Sequence, residues 1–260
     1  PGAIDTQVHF REPGNTDKED LKSGSRAAVA GGITTVFDMP NNNPSMSTKT
    51  LFKKKLNAAK NRMFCNYAFY FGAEKNNTTE IKKMEKEVGC CGIKVFVGVS
   101  TGTLIVSDYK DIKRIMKSTK KMISFHSEDQ YELNKREKFI KRGDPKSHPK
   151  WRNESVCLIC TKNLVKLANQ TKKQIHILHI TTAEEIELLN KNKKYVSYEV
   201  TPQHLVLSSP TCYNKLGTLA QMNPPIRSLR HNKRLRQALK NNEIDIVGSD
   251  HAPHKLSEKK

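Results

Sequence analysis

Eight short apolar runs rich in β-branched and aromatic residues recur along the chain, and a longer amphipathic run separates each from the next. The β-rich runs cover residues 3–10, 33–39, 65–71, 92–97, 122–126, 174–180, 195–200 and 244–248. Between and beside them, helical spacing covers 17–30, 47–61, 78–88, 108–118, 128–142, 153–170, 183–190 and 228–241, with Ser47 as an N-cap. Strict alternation of strand and helix calls for a parallel sheet, and eight units are the number that closes a (β/α)8 barrel of the TIM type. An open doubly wound sheet is the alternative. No GxGxxG or GxxxxGK[ST] follows any strand, so nothing argues for a nucleotide-binding fold. The 260 residues suit one such catalytic domain spanning 1–260. The sequence starts at Pro1-Gly2 directly before a strand and stops at Lys259-Lys260 just after a histidine-rich turn, which predicts an excerpt of a longer chain. Residues 143–151, with Pro145 and Pro149, read as the clearest loop.

The formal net charge of +20 raises nucleic acid as a partner. The lysines are scattered over helical segments, as at Lys53–Lys55, Lys82-Lys83, Lys120-Lys121 and Lys193-Lys194, and do not interleave with aromatics as a base-stacking platform would. A solvated basic surface is the expectation, with no nucleic acid partner. No run of about eighteen apolar residues occurs, so no membrane span is expected, and no signal-peptide pattern opens the sequence. Of six cysteines, Cys157 and Cys160 make one CxxC inside a helical run, with no second pair at zinc-finger spacing. Reduced thiols in a cytoplasmic protein are expected.

In a barrel of this kind the C-terminal strand ends meet at one mouth, where active sites lie. Along the first strand Asp5, Gln7 and His9 share a face, and Arg11 follows at once. Asn41 follows the second strand, Lys94 lies in the fourth, His126 ends the fifth, His179 stands near the end of the sixth and Asp250 follows the eighth. A single strand histidine is more often structural than not. Three histidines, an aspartate and a lysine at one mouth instead describe a metal site, and imidazole with carboxylate, without thiolate, suits zinc or a similar ion. Lys94, within Gly92-Ile93-Lys94-Val95-Phe96, has apolar neighbours that favour its neutral amine. That amine can add carbon dioxide to form a carbamate able to bridge two metals; the alternative is a lysine that snorkels out at the strand end. His148, His176, Glu199, Thr201, His204 and His251 are left outside the site.

Asp5-Thr6-Gln7-Val8-His9-Phe10-Arg11-Glu12-Pro13-Gly14 resembles the first signature of the dihydroorotases, a branch of the amidohydrolase superfamily. Gly248-Ser249-Asp250-His251-Ala252-Pro253-His254, with Lys259, resembles the second. Met39-Pro40-Asn41, Gly92-Ile93-Lys94, His126-Ser127-Glu128-Asp129, His179-Ile180-Thr181-Thr182 and Met222-Asn223-Pro224-Pro225 fall between them in the family's order. The resemblance implies a zinc hydrolase that interconverts N-carbamoyl-L-aspartate and dihydroorotate in pyrimidine synthesis. It implies a barrel lacking its last helix and a small β-domain, with an apolar patch where those parts would pack. It also implies a homodimer, with aspartate carbamoyltransferase as a partner. By position, His9 and Asp250 would hold the buried metal, carboxylated Lys94 would bridge, and His126 with His179 would hold the exposed one. Arg11, Asn41 and His254 would grip the substrate carboxylate, Asn223 would contact the ring, and Asp250 would shuttle the proton. Hydantoinases and allantoinases share these metal ligands but usually lack the arginine. One position departs: Gln7 stands where the family usually has histidine, a weaker neutral ligand. That departure leaves a rival of another class, an inactive scaffold of aspartate carbamoyltransferase. The retention of Lys94, His126, His179, Asp250 and Arg11 favours the enzyme.

Overall fold

The computed structural model describes residues 2–100 and 104–259; Pro1 and Lys260, the two ends read above as cut points, lie outside the described residues. Eight parallel strands follow one another in sequence order: β1 (Ala3–Val8), β2 (Ile33–Asp38), β3 (Asn66–Gly72), β4 (Cys90–Phe96), β5 (Ile123–His126), β6 (Ile175–Ile177), β7 (Val196–Val200) and β8 (Ile246–Val247). Strand β8 returns to β1 through a parallel bridge between Val8 and His251, where His9 N donates to His251 O at 2.7 Å. Asp5 Oδ1 accepts from Ser249 N at 3.1 Å across the same seam. The two stretches with the densest motif content therefore close the barrel on each other, and the expected (β/α)8 architecture stands.

Each connecting helix buries one stripe against the strands. In Tyr109–Ser118 the stripe is Ile112, Ile115 and Met116, at three- and four-residue spacing, and Asp108 caps the start by accepting from Lys110 N. In Ala183–Asn190, Thr182 and Glu185 form a reciprocal capping box. Where boundaries differ from the sequence reading, local chemistry explains it. The helix expected from Ser47 is Lys49–Ala59, capped by Thr48, while Ser47 is buried and its carbonyl accepts from Asn77. The helix expected at 128–142 is only Gln130–Lys135 plus one 3-10 turn, because Asp129 is its cap and Glu128 belongs to a buried ion pair. The expected loop at 143–151 winds into a 3-10 turn at Pro145–Ser147 and one helical turn at His148–Trp151. Two helices, Pro202–Val206 and Thr211–Leu216, are too short to leave an apolar period in the sequence. Ile4 on β1 and Val247 on β8, the strands that meet at the seam, are 56% and 42% exposed, which gives apolar surface there. Among the described residues no helix is long and apolar enough to cross a membrane.

Candidate active site

The strand ends open into one cavity of about 650 Å³, and all nine residues assigned from the sequence line it: His9, Arg11, Asn41, Lys94, His126, His179, Asn223, Asp250 and His254. Gln7 lines it too. The donors fall into two pairs. His126 Nδ1 and His179 Nε2 stand 3.0 Å apart, and His9 Nε2 stands 3.0 Å from Asp250 Oδ1. Gln7 Nε2 donates to the same Asp250 oxygen at 3.0 Å, so the amide occupies the place where a further imidazole was expected. Lys94 Nζ is buried without a hydrogen-bond partner, 4.5 Å over the Phe96 ring.

Two residues reach this mouth only through an unusual backbone. Strand β6 ends at Ile177, two residues short of His179, and His179 has φ 37°; Asp250 has φ 51°. Non-glycine residues in the left-handed region cost about 1–3 kcal/mol each and persist where the surroundings enforce them. Here both turns aim a polar side chain back across the barrel opening.

Burial dominates the electrostatics. It lowers Lys94 to about 7, against the raising influence of Asp250 and Glu199, so the amine is substantially neutral at physiological pH. Burial also lowers His126 and His179, which stay neutral and keep lone pairs available. For Asp250 burial acts upward, but the hydrogen bond with His9 leads the influences that prevail over it and bring it to about 2, so it is a carboxylate.

The arginine side of the cavity is braced from behind. Arg11 Nε donates to Pro253 O at 2.9 Å and its Nη2 lies 3.2 Å from His254 Nε2. An arginine only donates, so His254 Nε2 accepts, and its Nδ1 faces Glu258 at 3.4 Å. The loop carrying Arg11 is held by Asn42, whose amide donates to the Phe10 and Glu12 carbonyls at 3.0 and 3.1 Å. Lys55 in turn binds Asn42 Oδ1 at 2.7 Å and Asp38 Oδ2 at 2.6 Å. His9 Nδ1 lies 2.8 Å from Asn41 Oδ1, which fixes the ring.

Three contributors escaped the sequence reading. Glu128 Oε2 lies 2.9 Å from His126 Nε2 and pairs with Arg152 Nη1, both side chains fully buried or nearly so. This fixes the His126 tautomer: Nε2 carries the proton and Nδ1 the lone pair. The available signal was an acidic residue two positions after a strand-end histidine; nothing in the sequence pointed to Arg152. His148, set aside as a loop residue, lines the same cavity, because the loop coils into a helical turn that brings it inward. His251 stands at the rim, bound to Glu19 at 2.9 Å. His176 and Glu199 pair with each other at 3.2 Å and are outside the cavity lining.

A metal fits this donor set in part. Nitrogens sharing a tetrahedral zinc at about 2.0–2.1 Å stand about 3.3 Å apart, close to the 3.0 Å between His126 and His179. Among the described residues no three His, Cys, Asp or Glu side chains gather into one group that would hold an ion. Each pair needs a further donor, and Lys94, which lines the same cavity with its Nζ buried and unpartnered, is the candidate to supply one.

Residues 1–258 match the model of the amidohydrolase family. The whole chain aligns with a dihydroorotase of Methanosphaera stadtmanae at 32% identity, covering 59% of that protein. It aligns likewise with a dihydroorotase of Pyrococcus abyssi at 34% identity, covering 57% of it. Among solved structures, the L-hydantoinase (dihydropyrimidinase) of Arthrobacter aurescens superposes with a TM-score of 0.94 at 25% identity, over all of this chain and 59% of that one. The chain thus spans less than two thirds of the length of the relatives it matches.

Proposed function

The chain belongs to the amidohydrolase family, and on that premise we propose that it is the barrel of a dihydroorotase, a hydrolase that opens and closes the cyclic amide between dihydroorotate and N-carbamoyl-L-aspartate. The observation that carries this reading is the meeting of His9, Lys94, His126, His179 and Asp250 in one cavity with Arg11 beside them.

The donor types suit zinc, one or two ions: His126 and His179 would hold one and His9 with Asp250 the other, and Lys94, whose neutral amine can add carbon dioxide with release of a proton, would supply a further anionic donor. When bound, such a cation lowers the pKa of water toward about 7 and polarises the amide carbonyl under attack. The chain's own residues do the rest. Asp250, ionised at neutral pH, takes the proton from the attacking water and passes it to the departing ring nitrogen. Arg11 presents a planar fork to the substrate carboxylate, with Asn41 beside it. The geometry supports a change of role for His254: its Nε2 accepts from Arg11, so it steers the guanidinium as well as bordering the substrate. Asn223 offers an amide to the ring.

The superposition with a hydantoinase favours a second reading, hydrolysis of a neutral cyclic ureide. Arg11 weighs against it, since its guanidinium lines the cavity as a fork matched to a carboxylate, which an uncharged ring does not carry. One assay separates the two: ring opening followed by absorbance with dihydroorotate and with hydantoin, each with and without chelator. Chelator-sensitive turnover of dihydroorotate alone is the expected result. Turnover of hydantoin but not dihydroorotate, or turnover indifferent to prolonged chelation, would refute the proposal.

A further inference from the structure

Residues 221–225, Gln-Met-Asn-Pro-Pro, run along the mouth, and Asn223 lines the cavity with its Oδ1 buried and without a protein partner. Pro224 and Pro225 have no backbone N–H, so this segment cannot be held by ordinary backbone pairing there. Its carbonyls are taken instead by three basic side chains. Lys259 Nζ donates to Gln221 O at 2.6 Å, His148 Nε2 lies 3.0 Å from Met222 O, and His204 Nε2 lies 3.0 Å from Pro224 O. The three come from different connections, after β5, β7 and β8.

A carbonyl only accepts, so Nε2 carries the proton in both histidines. The Thr201 hydroxyl, 2.7 Å from His204 Nδ1, completes that assignment as the donor to the other ring nitrogen. Burial, first among the causes, pushes both rings below the ordinary histidine range, so they do this as neutral imidazoles. Three donors on carbonyls 221, 222 and 224 leave the intervening Asn223 little freedom to shift.

We propose that His148, together with His204 and Lys259, is a positioning residue that fixes Asn223 against the substrate ring. The inference rests on the reading of Asn223 as a ring contact. His148 touches neither the metal ligands nor Asp250 in any hydrogen bond, so its loss weakens binding of substrate and transition state alike: KM rises and kcat holds.

The test measures KM and kcat for dihydroorotate in the intact protein for His148→Phe, His148→Gln, Asn223→Ala and the double variant His148→Phe/Asn223→Ala. Loss of one neutral hydrogen bond predicts a rise in KM of about fivefold for H148F, with kcat within about twofold. H148Q, which retains an N–H donor, returns KM toward wild type. N223A raises KM, and H148F adds nothing further to it. An H148F effect that is undiminished in the N223A background overturns the proposal, as does equal behaviour of H148F and H148Q. An unchanged KM in N223A sinks the reading of Asn223 and the inference with it. A raised KM in N223A with none in H148F sinks only the positioning role. Where H148F yields no folded protein, Lys259→Met is measured in its place, with the same expected rise and the same overturning result.

Discussion

Replacing Glu128 with Gln preserves the size of a fully buried side chain and removes its charge. The carboxylate accepts from His126 Nε2 at 2.9 Å and pairs with Arg152. Burial pushes its pKa up, but the Arg152 guanidinium and the His126 hydrogen bond outweigh that and hold it at about 2, against an ordinary 4.5. His126 is neutral near pH 7, so Arg152 is the charge that matters. The depression corresponds to about 3 kcal/mol of folding stability at neutral pH. Removing one partner of a buried pair costs about 3–5 kcal/mol, which agrees. For a domain of this size each kcal/mol moves the melting temperature by about 2–4 °C, so E128Q should melt about 6–12 °C below wild type at pH 7. The sign with pH follows from a folded pKa below the unfolded one. The contribution is complete above about pH 4.5 and fades as pH falls toward 2, with about 1.4 kcal/mol gone by about pH 3.5. The gap between wild type and E128Q should therefore narrow by nearly half between neutral pH and that point. Thermal melts followed by circular dichroism, on the intact protein kept in chelator, measure this without the metal. A gap below about 1 °C at pH 7, or one that stays constant with pH, would refute the reasoning.

Other substitutions probe the mouth directly. Asp250→Asn should abolish hydrolysis while dihydroorotate still binds, as seen by calorimetry; turnover near wild type would remove Asp250 from proton transfer. Gln7→His should raise the metal content found by elemental analysis, because an imidazole would replace the amide now bonded to Asp250; an unchanged count would mean His9 and Asp250 do not form a metal half. Lys94→Met should eliminate activity yet raise the melting temperature of chelated protein by several degrees, since it removes a buried amine with no partner. A lower melting temperature would show that the amine has a structural role.

The barrel was legible because its period is redundant. Eight strand runs and their helices repeat one pattern, so errors at single boundaries, such as the short β6 or the capped helix after Glu128, leave the topology intact. The meeting of the candidate donors in one cavity was legible because strand ends converge by topology alone, and a histidine at the end of β5 needs no further information to be placed. What stayed hidden depends on side chains that travel across the fold. Arg152 reaches Glu128 over 24 residues, and Lys55 reaches back to Asp38 and Asn42 from the face of a helix. His148 was misread because Pro145 and Pro149 look like loop punctuation, whereas both occupy first-turn positions where proline is tolerated in a helix. Gln7 was visible as a departure, but its partner was not, since only the closed seam brings it to Asp250.

The mouth also bears on the choice between an enzyme and an inert scaffold. Lys94 Nζ, His179 Nδ1, Gln7 Oε1 and Asn223 Oδ1 are buried there without protein partners. Each such group costs about 1–3 kcal/mol, and the left-handed turns at His179 and Asp250 add about 1–3 kcal/mol apiece. Against a net folding stability of about 5–15 kcal/mol, these are heavy liabilities. A surface for docking a partner requires none of them, because all lie inside the barrel opening, and an apolar residue at Lys94 would relieve one of them. Unpaired donors and acceptors that face one cavity from β1, β4 and the turns after β6 and β7 make physical sense when a ligand within that cavity supplies their partners. The energetic argument therefore points the same way as the retained candidate donors, toward the proposed enzyme.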